Sequence, residues 1–338
     1  MEENRYSAAA DRYACGMEYR RCGRSGVLLP VLSLGLWHNF GADDSYENAR
    51  SMVRYAFDHG ITSFDLANNY GPPAGSAEET FGRLMRDDLA PYRDELFVST
   101  KAGHDMWAGP YGTWGSRKHL FASLHASLRR MKLDYVDVFY SHRYDPQTPL
   151  EETLQALVDM VRQGKALYVG ISKYPRAVAE EAYAFLRVQH VPCLLHQGRF
   201  SLLSRVPYEN GALVGARAAG VGFMAFSPLA QGLLTGKYLK GEVAPGSRMS
   251  HDGFLKRSTL TPQLLAQLNA LDRIARRRGE TLPQMALSWL LHFPEVTSVL
   301  VGASSIEQLR DNLGAVSAPP FSDEDLSEIE LALGSKAE

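Results

Sequence analysis

Short apolar runs and longer segments with helical periodicity alternate along most of this chain. The apolar runs predict strands at residues 32–36, 61–66, 96–100, 135–140, 166–171, 191–196, 221–226 and 297–301. The helical periodicity predicts helices at residues 46–59, 78–89, 117–131, 150–163, 177–187, 208–219, 262–278, 283–292, 305–313 and 323–333. Strands that alternate with helices indicate a parallel sheet. Eight such units favour a closed barrel over a doubly wound sheet.

Segments outside this alternation complete the expected architecture. Short apolar runs in residues 19–34 are broken by Gly23, Gly26 and Pro30, which indicates a hairpin before the first barrel strand. A long loop rich in Gly, Lys, Arg and Ser follows the seventh strand at residues 229–260. The fold class predicted is α/β, a (β/α)8 TIM barrel with an N-terminal hairpin, this loop and extra C-terminal helices. We expect a flexible N-terminus over residues 1–16 and a single barrel domain over residues 17–338.

Composition excludes several other classes of protein. The chain has 338 residues, of which 45% are hydrophobic and 22% charged, as in ordinary globular proteins. Its 36 basic and 38 acidic residues argue against a nucleic-acid partner. The densest basic run, residues 276–278, closes a predicted helix, where cations complement the helix dipole. Three cysteines without CxxC spacing argue against disulfides and a metal site.

Nothing in the sequence indicates a membrane or a secretory route. The chain contains no run of about 18 apolar residues, the minimum for a membrane-spanning helix. Its first residues include acidic side chains and no apolar core, unlike a signal peptide. We therefore expect a cytoplasmic protein with no membrane partner.

Polar residues that could perform chemistry follow the ends of three predicted strands. Asp65 and Tyr70 follow the second strand, Lys101 the third and His142 the fourth. Each alone has an ordinary structural explanation, such as a turn, a helix cap or a solvated loop. The C-terminal ends of barrel strands meet at one face, where active sites are built, so we expect these four side chains to converge.

The types of these four residues suggest proton transfer. Tyrosine has an ordinary pKa of about 10 and is a weak acid at neutral pH. An ammonium such as that of Lys101 favours the phenolate and lowers this pKa, while Asp65 would hold the ammonium in place. Tyr70 is then a general acid, and His142 can donate a hydrogen bond to a carbonyl oxygen. This set suits protonation of an alkoxide that forms as a hydride reaches carbon.

A hydride needs a carrier that protein side chains do not supply. The sequence has no GxGxxG after a strand, and the Gly232–Tyr238 segment lacks the spacing of a Walker loop. Two regions could bind the phosphates of a carrier: the loop from Lys237 to Arg248, and Gly302–Ser304 before a helix. Ser304 and Glu307 have the spacing of a capping box, so a structural role there is equally favoured.

These residues resemble the aldo-keto reductase family from about Tyr19 to Leu333. The segments that carry the resemblance are Phe64–Gly71, Ser99–Lys101, Tyr140–Arg143, Phe226–Tyr238, Ser247–Arg248 and Gly302–Asn312. Within the family, the strings GLWHNFG, FDLANNYGPP, YSHR and PLAQGLLTGKYL are most similar to those of bacterial L-glyceraldehyde 3-phosphate reductases. A more distant similarity is to the β subunits of voltage-gated potassium channels.

The resemblance implies NADPH as the cofactor, extended across the C-terminal face of the barrel. Ser172 and Gln197 would bind the nicotinamide amide, and Phe226 would stack on its ring. Lys237 and Arg248 would bind phosphates, including the 2′-phosphate. The implied cofactor contacts are Trp37, Asp65, Ser172, Gln197, Phe226, Ser227, Pro228, Leu229, Gln231, Lys237, Arg248, Gly302, Ser304, Gln308, Asp311 and Asn312.

Two positions depart from the family pattern. Many members have Asn after the serine where this chain has Lys173, and Glu is common where this chain has Asp311. The expected substrate pocket comprises Trp37, Tyr70, Trp107, Tyr111 and His142. Arg117, at the start of a predicted helix, is a candidate for binding a substrate phosphate.

The expected activity is NADPH-dependent reduction of small aldehydes to alcohols, with L-glyceraldehyde 3-phosphate and methylglyoxal-like compounds as substrates. A small-molecule aldehyde is the expected partner, with a homo-oligomer, a tetramer or larger, as a further expectation. One alternative is an NADPH-binding regulatory subunit of a protein complex, similar to the channel β subunits. The presence of His142 favours the enzyme, since those subunits lack it. Another alternative is an aldolase in which Lys101 forms a Schiff base.

Overall fold

Eight parallel strands close into a barrel that is surrounded by helices, as the alternation of apolar runs predicted. The computed structural model describes residues 6–243, 248–250 and 255–334. An antiparallel hairpin, β1 (Tyr19–Arg21) and β2 (Leu28–Pro30), precedes the barrel. The barrel strands are β3 (Leu32–Gly35), β4 (Ser63–Asp65), β5 (Phe97–Ala102), β6 (Val136–Ser141), β7 (Ala166–Ser172), β8 (Cys193–Arg199), β9 (Gly222–Phe226) and β10 (Val296–Val301).

Neighbouring strands follow one another in chain order around the barrel. The barrel closes where β10 pairs in parallel with β3, which aligns Val301 with Leu34. The helices are α1 (Tyr46–Asp58), α2 (Ser76–Leu84), α3 (Arg117–Met131), α4 (Leu150–Arg162), α5 (Arg176–Val188), α6 (Val206–Glu209), α7 (Ala212–Ala219), α8 (Pro262–Arg277), α9 (Leu282–Leu291), α10 (Ile306–Leu313) and α11 (Asp323–Leu333). All strand C-termini therefore lie on one face of the barrel.

The structure divides two of the predicted helices. The helix predicted at residues 78–89 ends at Leu84 and continues as a π-helical turn, Met85–Leu89. In that turn, Asp88 accepts hydrogen bonds from both Arg50 and Arg54 of α1. The helix predicted at residues 208–219 is broken between α6 and α7 at Gly211, whose φ of 73° is left-handed. Glycine adopts a left-handed φ at little steric cost. A regular right-handed helix cannot contain this conformation, so the helix is interrupted at Gly211.

Side-chain caps fix where several helices begin. Ser45, Ser116 and Ser322 each accept a hydrogen bond from a backbone N–H in the first turn of α1, α3 and α11. Thr281 and Gln284 form a reciprocal capping box at the start of α9. Such caps satisfy backbone donors that have no partner within the helix.

The basic run at residues 276–278 has a structural role. Arg277 pairs with Asp325 and Glu328 of α11, and Arg278 pairs with Glu280 and Asp325. The two guanidinium groups therefore join the end of α8 to the acidic first turn of α11. The sequence predicted that these cations complement the helix dipole, and the structure adds ion pairs that join two helices.

Apolar side chains pack in two layers, one inside the barrel and one between the strands and the helices. The inner layer includes Tyr140 of β6 and Met224 of β9, and the hairpin contributes Cys22 and Leu29 to it. The Tyr140 ring fits because β7 has glycine at position 170, where a Cβ atom would lie 2.4 Å from the ring. The hairpin and the interior side chains together make the barrel a packed core with no pore.

The segment before the hairpin contacts the outside of the barrel. The Tyr6 hydroxyl donates a hydrogen bond to Asp58 at 2.7 Å, and the Arg12 side chain pairs with Glu95. Residues 1–5 lie outside the described part of the chain. The division into residues 1–16 and a barrel domain from residue 17 stays a prediction. Among the described helices, none is both long enough and apolar enough to cross a bilayer.

Candidate active site

Asp65 and Lys101 meet at the C-terminal end of neighbouring strands. Strands β4 and β5 pair in parallel with Asp65 opposite Ser99, and Lys101 lies two residues further along β5. The Lys101 Nζ atom donates a hydrogen bond to Asp65 Oδ2 at 2.6 Å, and both side chains are fully buried. Ser99 Oγ at 2.7 Å and Gln197 Nε2 at 3.1 Å donate to the other carboxylate oxygen. These bonds compensate the cost of burying the carboxylate.

The Lys101 ammonium has two further acceptors. Its Nζ atom donates to the Leu66 carbonyl at 2.5 Å and lies 3.4 Å from the Tyr70 hydroxyl oxygen. All three donors of the ammonium group are therefore directed at oxygen atoms. Burial lowers the pKa of Lys101, and the neighbouring Asp65 charge opposes that shift.

Tyr70 differs from the sequence-based expectation in its acidity. The expectation was that the Lys101 ammonium lowers the pKa of the phenol. In the structure, burial raises the Tyr70 pKa well above its ordinary value, and the Asp65 charge raises it further. Desolvation of the phenolate outweighs the nearby cation because Asp65 neutralises much of that cation's charge. Tyr70 consequently keeps its proton at neutral pH, and Lys101 lies where it can stabilise a phenolate once one forms.

His142 follows β6, and its ring lies beside that of Tyr70. Its backbone N–H donates to the Ala102 carbonyl at 2.9 Å, and its ring lies 6.0 Å from the Tyr70 ring, edge to face. Its pKa is well below the usual value because burial disfavours the cation, with the Lys101 charge as a further cause. The imidazole is therefore neutral at neutral pH. Its Nδ1 atom finds no hydrogen-bond partner among the described residues.

The next three strands place polar and aromatic groups beside these four residues. Ser172 ends β7, Gln197 lies in β8, and Phe226 ends β9. The Ser172 hydroxyl is buried and has no hydrogen-bond partner in the described part of the chain. An unpaired buried hydroxyl costs free energy unless a ligand or water supplies a partner.

The loop after β9 has an unusual backbone. Ser227, Ala230 and Gln231 all have left-handed φ angles, between 47° and 59°, although none is glycine. Non-glycine residues in this region carry strain and cluster at ligand-binding sites. Pro228 and Leu229 lie between the strained positions, in the segment of residues 227–231 that follows β9.

The two cations expected to bind phosphate lie beyond this segment. Lys237 follows the short 3-10 turn Ala230–Thr235, and its side chain is exposed. Arg248 begins the turn Arg248–Ser250, and its side chain lies outside the described part of the structure.

The segment after β10 reaches the start of α10 along the same face. Gly302 and Ser304 are exposed there, and the Ser304 backbone N–H donates to Gln308 Oε1 at 3.2 Å. The helix cap is Ser305, whose hydroxyl accepts from the Gln308 backbone N–H. The capping box expected for Ser304 and Glu307 is therefore wrong, because the helix cap lies one residue later, at Ser305. This leaves the exposed Ser304 hydroxyl outside the cap.

Of two expected contacts on α10, Asp311 has protein partners and Asn312 is buried. Asp311 accepts hydrogen bonds from Thr281 Oγ1 at 3.1 Å and Gln284 Nε2 at 2.9 Å, which ties α10 to the cap of α9. Asn312 is buried, with 3% of its surface exposed.

Aromatic rings flank Tyr70 and His142. The Trp37 ring lies 6.3 Å from that of Tyr70, and the His104 ring lies 4.5 Å from that of His142. Trp107 and Tyr111 lie in the loop after β5 and are 42% and 54% exposed. Both contact His119 of α3, Trp107 through its ring and Tyr111 through its backbone carbonyl.

Comparison with known proteins identifies the family to which this barrel belongs. A family model described as the aldo/keto reductase family matches residues 31–333. The chain belongs to the aldo/keto reductase family. An aldo-keto reductase is an oxidoreductase that acts on aldehydes, and the family generally uses NAD(P)H.

Curated aldo-keto reductases and related subunits align with nearly the whole chain. It is 54% identical over 328 residues to "L-glyceraldehyde 3-phosphate reductase" of Escherichia coli K12, covering 96% of this chain and 94% of that protein. It is 36% identical over 326 residues to "Probable voltage-gated potassium channel subunit beta" of Oryza sativa, covering 95% of this chain and 98% of that protein. A protein of the same name in Arabidopsis thaliana is 36% identical over 310 residues, 90% of this chain and 93% of that protein.

Three basic residues at the mouth of this aldo-keto reductase were given no binding or catalytic role from the sequence, although Lys173 was noted as a departure from the family pattern. His104, Arg143 and Lys173 follow the C-terminal ends of β5, β6 and β7. Their positions directly after strands are the signal that could have found them. Arg117 lies elsewhere, on α3, where its guanidinium pairs with Asp159 of α4 at 2.5 Å.

Proposed function

We propose that this aldo-keto reductase uses NADPH to reduce small aldehydes to alcohols, with L-glyceraldehyde 3-phosphate as its best substrate and methylglyoxal-like compounds as further ones. The observation that carries the proposal is the buried group in which Asp65 pairs with Lys101 and Lys101 reaches the Tyr70 hydroxyl. The 54% identity to the Escherichia coli reductase supports the choice of substrate.

The residues present fit a bound nicotinamide. A carboxamide both donates and accepts hydrogen bonds, and the buried Ser172 hydroxyl has no partner among the described residues. Ser172 and Gln197 would hold the amide, and Phe226 would stack on the ring. When bound, the reduced nicotinamide supplies a hydride to the carbonyl carbon of the aldehyde.

The four catalytic side chains would handle the charge and the proton. The neutral His142 ring and the Tyr70 hydroxyl donate hydrogen bonds to the aldehyde oxygen. As the carbonyl π electrons move onto that oxygen, Tyr70 transfers its proton to it and the alcohol forms. The Lys101 ammonium, 3.4 Å from the phenol oxygen, then stabilises the phenolate that remains. Asp65 holds Lys101 in this position.

The preference for NADPH over NADH rests on cations that can meet the 2′-phosphate. Lys237 is exposed on the loop after β9, and Arg248 follows in the same loop. Lysine and arginine are the side chains that bind phosphate groups most strongly. Trp37, Ser227, Pro228, Leu229, Gln231, Gly302, Ser304, Gln308, Asp311 and Asn312 would complete the cofactor contacts.

Two competing functions make different predictions. A regulatory subunit would bind NADPH without needing His142, whereas here His142 stands beside Tyr70 and supports an enzyme. An aldolase would need Lys101 as a free nucleophile, whereas its ammonium donates to Asp65 and Leu66. Borohydride should therefore trap no substrate adduct on Lys101.

A panel of aldehydes tests the proposal. The purified chain is assayed for loss of NADPH absorbance with L- and D-glyceraldehyde 3-phosphate, L-glyceraldehyde and methylglyoxal. We expect turnover with all the small aldehydes and the highest kcat/KM with L-glyceraldehyde 3-phosphate. An absence of turnover with every aldehyde, or a borohydride-trapped adduct on Lys101, would overturn the proposal.

A further inference from the structure

The mouth of the active site carries a cluster of basic side chains, His104, Arg143 and Lys173. They follow three successive strands, so they lie side by side at the C-terminal face. The Lys173 Nζ atom lies 3.2 Å from His104 Nε2. The His104 ring in turn contacts the His142 ring at 4.5 Å. The cluster therefore begins beside His142 and continues through His104 to Lys173.

The positive charge of this cluster is poorly compensated. Desolvation of its ammonium at the barrel mouth lowers the pKa of Lys173 to about 8, with the Lys101 and Arg143 charges as further causes. Burial also lowers the pKa of His104 to about 4, and the Lys173 and Arg143 charges add to that shift. His104 is therefore neutral at neutral pH, and its Nε2 atom can accept a hydrogen bond from the Lys173 ammonium. The positive charges of Lys173 and Arg143 repel each other.

One carboxylate lies near the cluster in the described part of the structure. Asp105 is 3.8 Å from Arg143, but 89% of its side chain is exposed to solvent. An ion pair of this length and exposure contributes little to stability, so it compensates little of the positive charge of the cluster. Arg143 is also held in place by the Gly103 carbonyl at 2.8 Å and by the Trp114 ring, 3.6 Å below its guanidinium.

The backbone of Lys173 is itself unusual. Its φ angle is 57°, in the left-handed region that lysine seldom adopts. Strained conformations of this kind persist where they direct a functional side chain. Here the conformation leaves the Lys173 ammonium between His104 and the Phe226 ring, whose centre is 5.7 Å away.

We propose that Lys173 and Arg143, with His104 positioning Lys173, bind the phosphate group of a phosphorylated aldehyde. A phosphate monoester carries a charge of about −1.5 to −2 at neutral pH and would relieve the repulsion between the two cations. The three-carbon chain of a triose phosphate separates its aldehyde from its phosphate. This matches a cluster that begins at His142 and continues outward through His104. The inference rests on the proposed function, because it assigns the phosphate of that substrate to named residues.

The cofactor also carries phosphates, so the test must separate two sources of the same chemistry. Lys173→Gln removes the charge, and Lys173→Arg keeps it. The matched control is Lys132→Gln, because Lys132 is also an exposed lysine with a left-handed φ, 56°, but precedes β6 at the opposite face. Steady-state rates are measured with L-glyceraldehyde 3-phosphate and with L-glyceraldehyde.

We expect Lys173→Gln to lower the ratio of kcat/KM for L-glyceraldehyde 3-phosphate to that for L-glyceraldehyde by about 10- to 100-fold, the value of a charge-assisted hydrogen bond. Lys173→Arg should restore most of this ratio, and Lys132→Gln should not change it. An unchanged ratio in Lys173→Gln would overturn the inference. A rise in the KM for NADPH without a change in the ratio would assign Lys173 to the cofactor phosphates and would also overturn it.

Direct binding distinguishes failure of the inference from failure of the proposed function. Inorganic phosphate is titrated into the wild type, Lys173→Gln and Lys132→Gln, with tryptophan fluorescence as the readout. Even if no aldehyde is reduced, we expect phosphate to bind the wild type and the Lys132 variant at least tenfold more tightly than the Lys173 variant, as for the loss of one charge-assisted bond. Equal affinities in all three proteins would overturn the phosphate site.

Discussion

Lys101 Nζ lies 2.6 Å from Asp65 Oδ2, and both side chains are completely buried where two barrel strands end. Because the charges are enclosed, each side chain depends on the other for compensation. The pair also places the ammonium near the Tyr70 hydroxyl, so one contact supports both the stability of the barrel and the chemistry proposed for it.

Breaking this pair from either side should destabilise the protein more than removing both charges. Lys101→Met and Asp65→Asn should each lower the free energy of unfolding by about 3–5 kcal/mol, the cost of an uncompensated buried charge. The double variant should cost less than either single variant, because it leaves no buried charge without its partner. Unfolding in urea, followed by circular dichroism, measures all three. The control is Arg276→Met, which breaks an exposed pair with Asp272. Additive losses for Lys101 and Asp65 would contradict the coupling.

Tyr70→Phe should remove the proton donor without disturbing the site. We expect kcat for aldehyde reduction to fall by about 10²- to 10⁴-fold, the usual contribution of a general acid, while the affinity for NADPH is kept. The control is Tyr140→Phe, because the Tyr140 hydroxyl is buried nearby and has no partner among the described residues. Stopped-flow absorbance gives the rate, and fluorescence titration gives the affinity. Wild-type turnover in Tyr70→Phe would show that another group supplies the proton.

The rate of reduction should be independent of pH from about 7 to 9. Burial holds the Tyr70 pKa well above its ordinary value, so the phenol keeps its proton up to alkaline pH. Burial and the Lys101 charge hold the His142 pKa well below its usual value, so its ring becomes cationic only in acid. The measurement is kcat against pH at saturating L-glyceraldehyde, because this aldehyde carries no phosphate for Lys173, whose pKa is about 8, to bind. A titration of kcat with a midpoint between those limits would contradict these assignments.

The convergence of Asp65, Tyr70, Lys101 and His142 could be predicted because strand ends of a barrel meet at one face. The acidity of Tyr70 could not, because it depends on how far burial outweighs a neighbouring ammonium. The break at Gly211 was missed since a single glycine within helical periodicity is ambiguous. No shared role was predicted for His104, Arg143 and Lys173, for a different reason: a basic residue after a strand is usually solvated, and only the fold shows three of them side by side. The fold also pairs Arg117, which the sequence made a candidate for binding a substrate phosphate, with Asp159.

Lys237→Ala should weaken the binding of NADPH far more than that of NADH. The exposed ammonium is proposed to meet the 2′-phosphate, which NADH lacks, so the KM for NADPH should rise about 10-fold or more. The KM for NADH should change little. Initial rates at saturating aldehyde with each cofactor provide the comparison. The matched control is Lys256→Ala, which removes an exposed lysine near the end of the same loop. Equal rises in both KM values would remove Lys237 from the 2′-phosphate site.

The stability of the barrel should fall as the pH falls below about 6.5, with His196 as one cause. His196 lies in β8, is 4% exposed, and its Nδ1 atom lies 2.6 Å from the Tyr183 hydroxyl. Burial lowers its pKa to about 4. The unfolded chain then binds this proton at a higher pH than the folded chain, so the stability from the neutral ring is present above the unfolded pKa and is lost as the pH falls towards 4.

His196→Asn isolates this contribution, because the amide can still meet the Tyr183 hydroxyl but does not titrate. Between pH 6.5 and 4 the wild type should lose roughly 3 kcal/mol more unfolding free energy than the variant, from the shift in this one pKa. Urea unfolding at several pH values gives both slopes. His190→Asn, an exposed histidine at the end of α5, should keep the wild-type slope. If His196→Asn also kept it, His196 would not be the neutral buried group described here.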